Sequence, residues 1–133
     1  CVYREGNLVP VSTGHTVAVL AEEKFREGKI TRQDAISLLE NQRLYNYLGK
    51  DDFKDIEIFD APVRLKRGDI IALMSDGLYD LLGFKAIEAV LGEASDCQTK
   101  ALELIELVNN NASDWKDNAS IVLLGFRNGV AAL

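Results

Sequence analysis

Ile70-Ile71-Ala72-Leu73-Met74-Ser75-Asp76-Gly77 is the stretch that decides the fold. Its unbroken apolar run, Ile70 to Met74, has the length of one strand, and such a run marks a central, buried strand rather than a half-exposed one. Ser75-Asp76-Gly77 ends the run, and glycine lets the backbone turn sharply there, so the Asp76 carboxylate emerges at the strand end. Lys66-Arg67-Gly68-Asp69 supplies the turn before it. A second apolar run, Ile121–Phe126, follows Asp117-Asn118-Ala119-Ser120 and predicts the final strand. If these two strands are antiparallel neighbours, the end of one lies beside the start of the other. Asp76 and Asp117 then meet at one edge of the sheet, although far apart in sequence.

Working outward, Val2-Tyr3-Arg4 and Leu8-Val9-Pro10-Val11 read as a hairpin joined by Glu5-Gly6-Asn7, with Pro10 confining its second strand to an edge or a strand end. Val17, Leu20, Ala21 and Phe25 recur at helical spacing between Thr16 and Glu27, and Gly28 ends that helix. Thr31-Arg32-Gln33-Asp34 has the form of a capping box opening a second helix, with Ala35, Leu38 and Leu39 inward. Residues 16–40 are therefore expected to form a helical hairpin. The stretch from Asn41 to Asp55 is irregular, anchored by Leu44, Tyr45, Tyr47, Leu48 and Phe53. Ile56-Glu57-Ile58 and Val63-Arg64-Leu65 alternate as strands do. Beyond Gly77, Leu78–Leu82 leads into a helix carrying Phe84, Ile87 and Leu91. Ser95-Asp96-Cys97-Gln98 then has the form of a capping box for a longer helix with Ala101, Leu104, Ile105 and Val108 on one face. Asn109 to Asp117 is a polar loop.

At 133 residues the chain has the size of a single domain and can bury roughly two-thirds of its unfolded surface. Hydrophobic residues at 47%, charged residues at 27% and only 2 prolines are ordinary globular values, which excludes low-complexity and disordered classes. The net charge of −6 has the wrong sign for neutralising phosphates, so nucleic acid is not an expected partner. No apolar run approaches the roughly 20 residues of a membrane span, and no secretory signal opens the chain. The expected location is cytoplasmic, with no membrane partner. Cys1 and Cys97 lack CxxC spacing and His15 is the single histidine, so neither a disulfide framework nor a zinc site is expected; Cys97 reads as a small residue on a helix face. The chain opens directly on strand-like residues, which suggests a piece of something longer.

Paired carboxylates at one sheet end repel unless a cation lies between them, so Asp76 and Asp117 invite a hard divalent ion such as Mg²⁺ or Mn²⁺. Turn chemistry is the alternative, because Asp and Asn side chains also bond nearby backbone amides. Tyr45, Tyr47 and Trp115 read as packing residues rather than a recognition surface. Arg64, Lys66 and Arg67 read as a solvated face rather than a phosphate-attracting cluster.

Met74-Ser75-Asp76-Gly77-Leu78-Tyr79-Asp80-Leu81 after an apolar strand, followed by Asp117-Asn118-Ala119-Ser120-Ile121-Val122 at the last strand, resembles the metal-dependent serine/threonine protein phosphatases of type 2C. Val2–Val11 looks like that family's Tyr-x-x-x-Gly-x-Leu hairpin, Glu27–Thr31 like the turn between its two flap helices, and Leu44–Gly49 like the segment that closes the flap. Thr13-Gly14-His15-Thr16 falls where the family often has Asp-His at the flap's start; Gly14 departs from that pattern, and His15 is expected to anchor the flap.

The resemblance spans nearly all of the chain but only the C-terminal half to two-thirds of such a phosphatase. It implies an α+β fold, an α/β sandwich of mainly antiparallel sheets flanked by antiparallel helices. In this scheme residues 1–133 are the C-terminal portion of one catalytic domain, and residues 12–50 are a helical flap-like subdomain. It further implies hydrolysis of phosphoserine and phosphothreonine in phosphoproteins by two or more Mn²⁺ or Mg²⁺ ions that activate a water. Asp76 and Asp117 would ligate one ion, Asp76 also a looser third ion, while Ser75 and Asn118 stay outside the coordination shell. The family's bridging acidic motif, its catalytic histidine and its Gly-Asp-Ser motif have no counterpart here. The chain alone is therefore expected to lack a complete active site and to need the N-terminal half of the domain or to self-associate. The alternative function is a catalytically incomplete phosphatase-like binding or regulatory module.

Overall fold

In the computed structural model, which describes residues 1–41, 43–53, 56–58, 62–113 and 117–127, the two decisive apolar runs are neighbours. Strands β1 (Val2–Arg4), β2 (Asn7–Val9), β3 (Ile70–Met74) and β4 (Ile121–Gly125) form one antiparallel four-stranded sheet in the order β2-β1-β3-β4. The β3–β4 register pairs Ile70 with Gly125 and Met74 with Ile121, so β3 ends where β4 begins. Helices α1 (Val17–Arg26), α2 (Arg32–Leu38), α3 (Asp76–Leu91) and α4 (Cys97–Asn110) complete an α+β fold. The chain divides into two compact units, Cys1–Val11 with Val63–Leu133, and Ser12–Pro62.

The hairpin turn is tighter than the sequence implies. Asn7 pairs with Arg4 and belongs to β2, which leaves Glu5 and Gly6 alone in the turn, with φ of 50° and 85°. Positive φ at both central residues gives the turn the twist that a two-residue hairpin needs. β2 is an edge strand, and Pro10 follows it. The Leu8 amide donates to Glu88 Oε1 on α3 at 2.8 Å, so part of that edge is occupied rather than left open to another strand.

The core lies between one face of the sheet and helices α3 and α4. Leu8, Ile70 and Ala72 meet Leu78, Ile87, Val90, Leu91, Leu104 and Val108 there. Each large side chain fully buried in it is worth about 1.5–3 kcal/mol. Burial is one-sided, contrary to the expectation for β3: Leu73 is 55% exposed, as is its cross-strand partner Val122. Gly83, at φ 73°, divides α3 into two helical segments. α4 starts one residue later than the sequence pattern implies, capped by the Asp96 side chain, which accepts from the Thr99 amide at 2.8 Å.

In the helical unit Thr16 caps α1, and Thr31 with Asp34 forms the expected capping box of α2. The buried faces are made by Ala18, Ala21 and Ala35, whereas Phe25 and Leu39 are exposed. Leu44, Tyr47, Leu48 and Phe53 are also exposed, so of the residues expected to anchor that stretch only Tyr45 is half-buried. Residues 56–58 and 63–65 form no strand: among the described residues no neighbouring strand takes up their backbone groups, and Ile56 and Ile58 stand in solvent. Among the described residues, no helix is long and apolar enough to cross a membrane.

Candidate functional site

Asp76 and Asp117 are brought together by the antiparallel register of β3 and β4. Beyond the last β-pair, Met74 with Ile121, the Ser75 amide donates to the Ser120 carbonyl at 3.0 Å. The Ser75 hydroxyl accepts from the Ser120 amide at 2.9 Å and donates to the Asn118 carbonyl at 3.2 Å. Ser75 holds the N-cap position of α3 yet makes no capping bond, because its hydroxyl is engaged across the strand junction. Gly77 is pressed onto the same segment: a Cβ there would lie 2.6 Å from the Asn118 carbonyl oxygen. That contact, rather than an unusual φ, is what requires glycine after Asp76.

A cleft of about 290 Å³ opens at this junction, lined by Asp76, Gly77, Asp80, Leu81, Ser113 and Asp117. Asp76 is the first residue of α3 rather than part of a free turn, and its Oδ1 accepts from the Gly77 amide at 2.9 Å. Asp117 Oδ1 accepts from the Asn118 amide at 2.7 Å. The local backbone bonds expected of turn residues are thus present, but they occupy one oxygen of each carboxylate. Among the described residues, Oδ2 of neither has a hydrogen-bond partner. Asp80 joins the cleft one helical turn after Asp76; the i, i+4 spacing that puts the two on one face was the signal for it in the sequence. Ser113 arrives from the loop after α4 and had no such signal.

Three carboxylates around one cleft make its potential negative. Tyr79, beside them, has its phenol pushed up by burial first and then by the charges of Asp80 and Asp76. Hard carboxylate oxygens in a negative cleft suit a divalent cation of the Mg²⁺ class. They fit only part of such an ion's shell, because hard cations take six or more oxygens and, among the described residues, no group of three or more Asp, Glu, His or Cys side chains could hold one ion.

The other candidates lie apart. His15 Nδ1 is 2.9 Å from the buried Asn46 side chain, its carbonyl accepts from the Tyr45 amide at 2.8 Å, and its ring lies 5.6 Å from that of Tyr45. Those contacts tie the start of the helical unit to residues 45–46, an anchoring role. Trp115 lies outside the described residues. Arg64, Lys66 and Arg67 are solvent-exposed. Cys1 and Cys97 are free thiols, both half-buried.

A four-stranded antiparallel sheet with helices on one face is an α+β fold, and solved bacterial serine/threonine phosphatases share it. The serine/threonine phosphatase of S. agalactiae superposes with a TM-score of 0.61 over 92% of this chain at 24% identity, which speaks for the fold. The Mycobacterium tuberculosis serine/threonine phosphatase PstP/Ppp superposes with a TM-score of 0.62 over 95% of this chain at 25% identity. This chain spans 48% and 50% of the lengths of those two. No protein-family pattern and no curated protein sequence matches it.

Proposed function

We propose that the chain supplies part of the catalytic domain of a metal-dependent serine/threonine phosphatase, with Asp76 and Asp117 holding one Mn²⁺ or Mg²⁺ ion. The observation that carries this is the shared cleft: in a chain with a phosphatase fold, two carboxylates meet at the junction of β3 and β4. A bound divalent ion there supplies Lewis-acid polarisation of a phosphoester and an acidified water. The protein's part is positional. Ser75 ties the two strand ends together, Gly77 allows α3 to start against Asn118, and the amides of Gly77 and Asn118 fix one oxygen of each carboxylate. Asp80 adds negative charge one turn away.

The substrate is a phosphoprotein, and the two-ion reaction needs ligands from the other half of the domain. The flap-like subdomain expected at residues 12–50 would fall within the compact unit Ser12–Pro62. Cytoplasmic action accords with two unpaired cysteines. The second reading, a catalytically incomplete module, is favoured by one observation: two carboxylates cannot complete an ion's shell.

Mn²⁺ broadening of amide NMR signals tests the site directly. Signals of residues 75–77, 80 and 117–118 should broaden first in the chain, and Asp76→Asn or Asp117→Asn should remove the effect. In the complete phosphatase domain the same substitutions should abolish metal-stimulated hydrolysis of a phosphothreonine peptide. Broadening centred elsewhere, or activity retained in either variant, refutes the assignment.

A further inference from the structure

The helical unit carries a second and larger cleft, of about 490 Å³, that the phosphatase reading leaves unused. Phe25 and Arg26, in the last turn of α1, line one side, and Arg32, Ile36 and Leu39 line the other. Positions 32, 36 and 39 share one helical face. The trough is apolar and open: Phe25, Ile36 and Leu39 are 45%, 51% and 42% exposed.

Arg26 ends α1 and Arg32 begins α2, so both cations belong to the end of the helical hairpin where residues 27–31 turn. Among the described residues neither guanidinium group makes a hydrogen bond or an ion pair. The neighbouring Lys29 does, with Glu27 at 2.8 Å. One carboxylate, Glu22, also lines the cleft, about 6 Å back along α1 from Arg26 by helical rise. Two uncommitted guanidinium groups therefore face one acid at an apolar trough, in a chain whose net charge is −6.

We propose that this cleft docks an acidic amphipathic segment of a partner protein, with apolar side chains on Phe25, Ile36 and Leu39 and carboxylates on Arg26 and Arg32. The arginine fork suits carboxylates because it donates two parallel hydrogen bonds. A trough between two helices matches the helix-in-groove mode of recognition. A nucleic-acid backbone would need a longer row of cations than two.

The probe is a fluorescent 15-residue helical peptide with leucines at i, i+3, i+4 and i+7 and glutamates at one end. It is titrated into the full chain without metal or phosphoester, so a failure here is separate from a failure of the phosphatase reading. Saturable binding is expected, with NMR shifts confined to residues 22–39. The double variant Arg26→Gln/Arg32→Gln should weaken it about tenfold, or 1.4 kcal/mol, as should replacing the peptide's glutamates by lysines. Ile36→Ala should weaken it without altering charge dependence. Circular dichroism checks that each variant keeps its helices, which is expected because these side chains are exposed. Equal affinity for the lysine peptide, shifts centred on the sheet, preference for phospholipid vesicles, or self-association of the chain through this cleft would each overturn the proposal.

Discussion

A single backbone contact sets the tolerance of the candidate site. At Gly77 a methyl group would stand 2.6 Å from the Asn118 carbonyl oxygen, and backbone held by the Ser75–Ser120 bonds has little room to yield. Gly77→Ala should therefore destabilise the chain by about 1–3 kcal/mol in urea denaturation. A stability change within 0.5 kcal/mol, the usual range for a surface substitution, would mean the junction is soft. Asp69 makes a different residue-scale prediction. Its side chain is 2% exposed, accepts from Arg4 Nη2 at 2.5 Å and from the Lys66 amide at 2.7 Å, and its carboxyl is lowered from 3.8 to about 2, chiefly by the Arg4 bond and then by the Lys66 amide. A depressed folded-state value stabilises the fold above the unfolded value, and that contribution disappears as pH falls through the folded one. Wild-type stability should thus fall between about pH 4 and about pH 2 by more than that of Asp69→Asn; parallel pH profiles would refute the coupling. Asp76 and Asp117 were legible as candidates because each flanks an apolar run. Asp69 read only as a turn residue, since nothing local points to Arg4. Lys100 gave no hint that its ammonium is buried and donates to the Leu91 carbonyl at the end of α3 at 2.6 Å.

Among the elements, local chemistry was legible wherever it is self-contained. The capping box of α2 closes within four residues: the Thr31 hydroxyl accepts from the Asp34 amide at 3.2 Å, and Asp34 Oδ2 accepts from the Thr31 amide at 3.2 Å. Thr31→Ala should cost about 0.5–2 kcal/mol. The loss should appear as faster hydrogen exchange confined to α2; uniform acceleration over the whole chain would show that the cap supports more than its own helix. Strands were legible only where a partner exists. Residues 70–74 and 121–125 pair with each other, whereas the alternation at 56–58 and 63–65 finds no strand partner among the described residues. Short strands have no stability of their own, because ladder bonds and cross-strand packing come from elsewhere. The helices show the same limit, since spacing identified α1 but not that alanines would take its buried face and Phe25 would stay outside.

At the scale of the whole molecule, the described residues pack helices α3 and α4 on one face of the sheet and leave apolar side chains exposed on the other. Leu73 and Val122 face each other there, with Leu124 beside them, each more than half exposed. An exposed apolar patch spanning the central strand β3 and the edge strand β4 calls for a covering layer. The chain by itself should consequently self-associate in sedimentation experiments and show no Mn²⁺-dependent turnover of a phosphothreonine peptide. Adding the other half of the domain should restore a monodisperse complex and activity, and Leu73→Lys should weaken that complementation. Turnover by a monomer of this chain would refute the prediction. What the sequence determined by itself is whatever depends on neighbours along the chain: the capping box of α2, the presence of the hairpin, the apolar runs, and the two acids beside them. These follow from capping, turn chemistry and periodicity, which act over a few residues. Only the tertiary structure decided that β3 lies beside β4, that Asp80 and Ser113 share a cleft with Asp76 and Asp117, that Arg4 neutralises Asp69, and which sheet face is covered. Those facts depend on contacts between residues distant in sequence, which the global packing of apolar surface selects and no local pattern encodes.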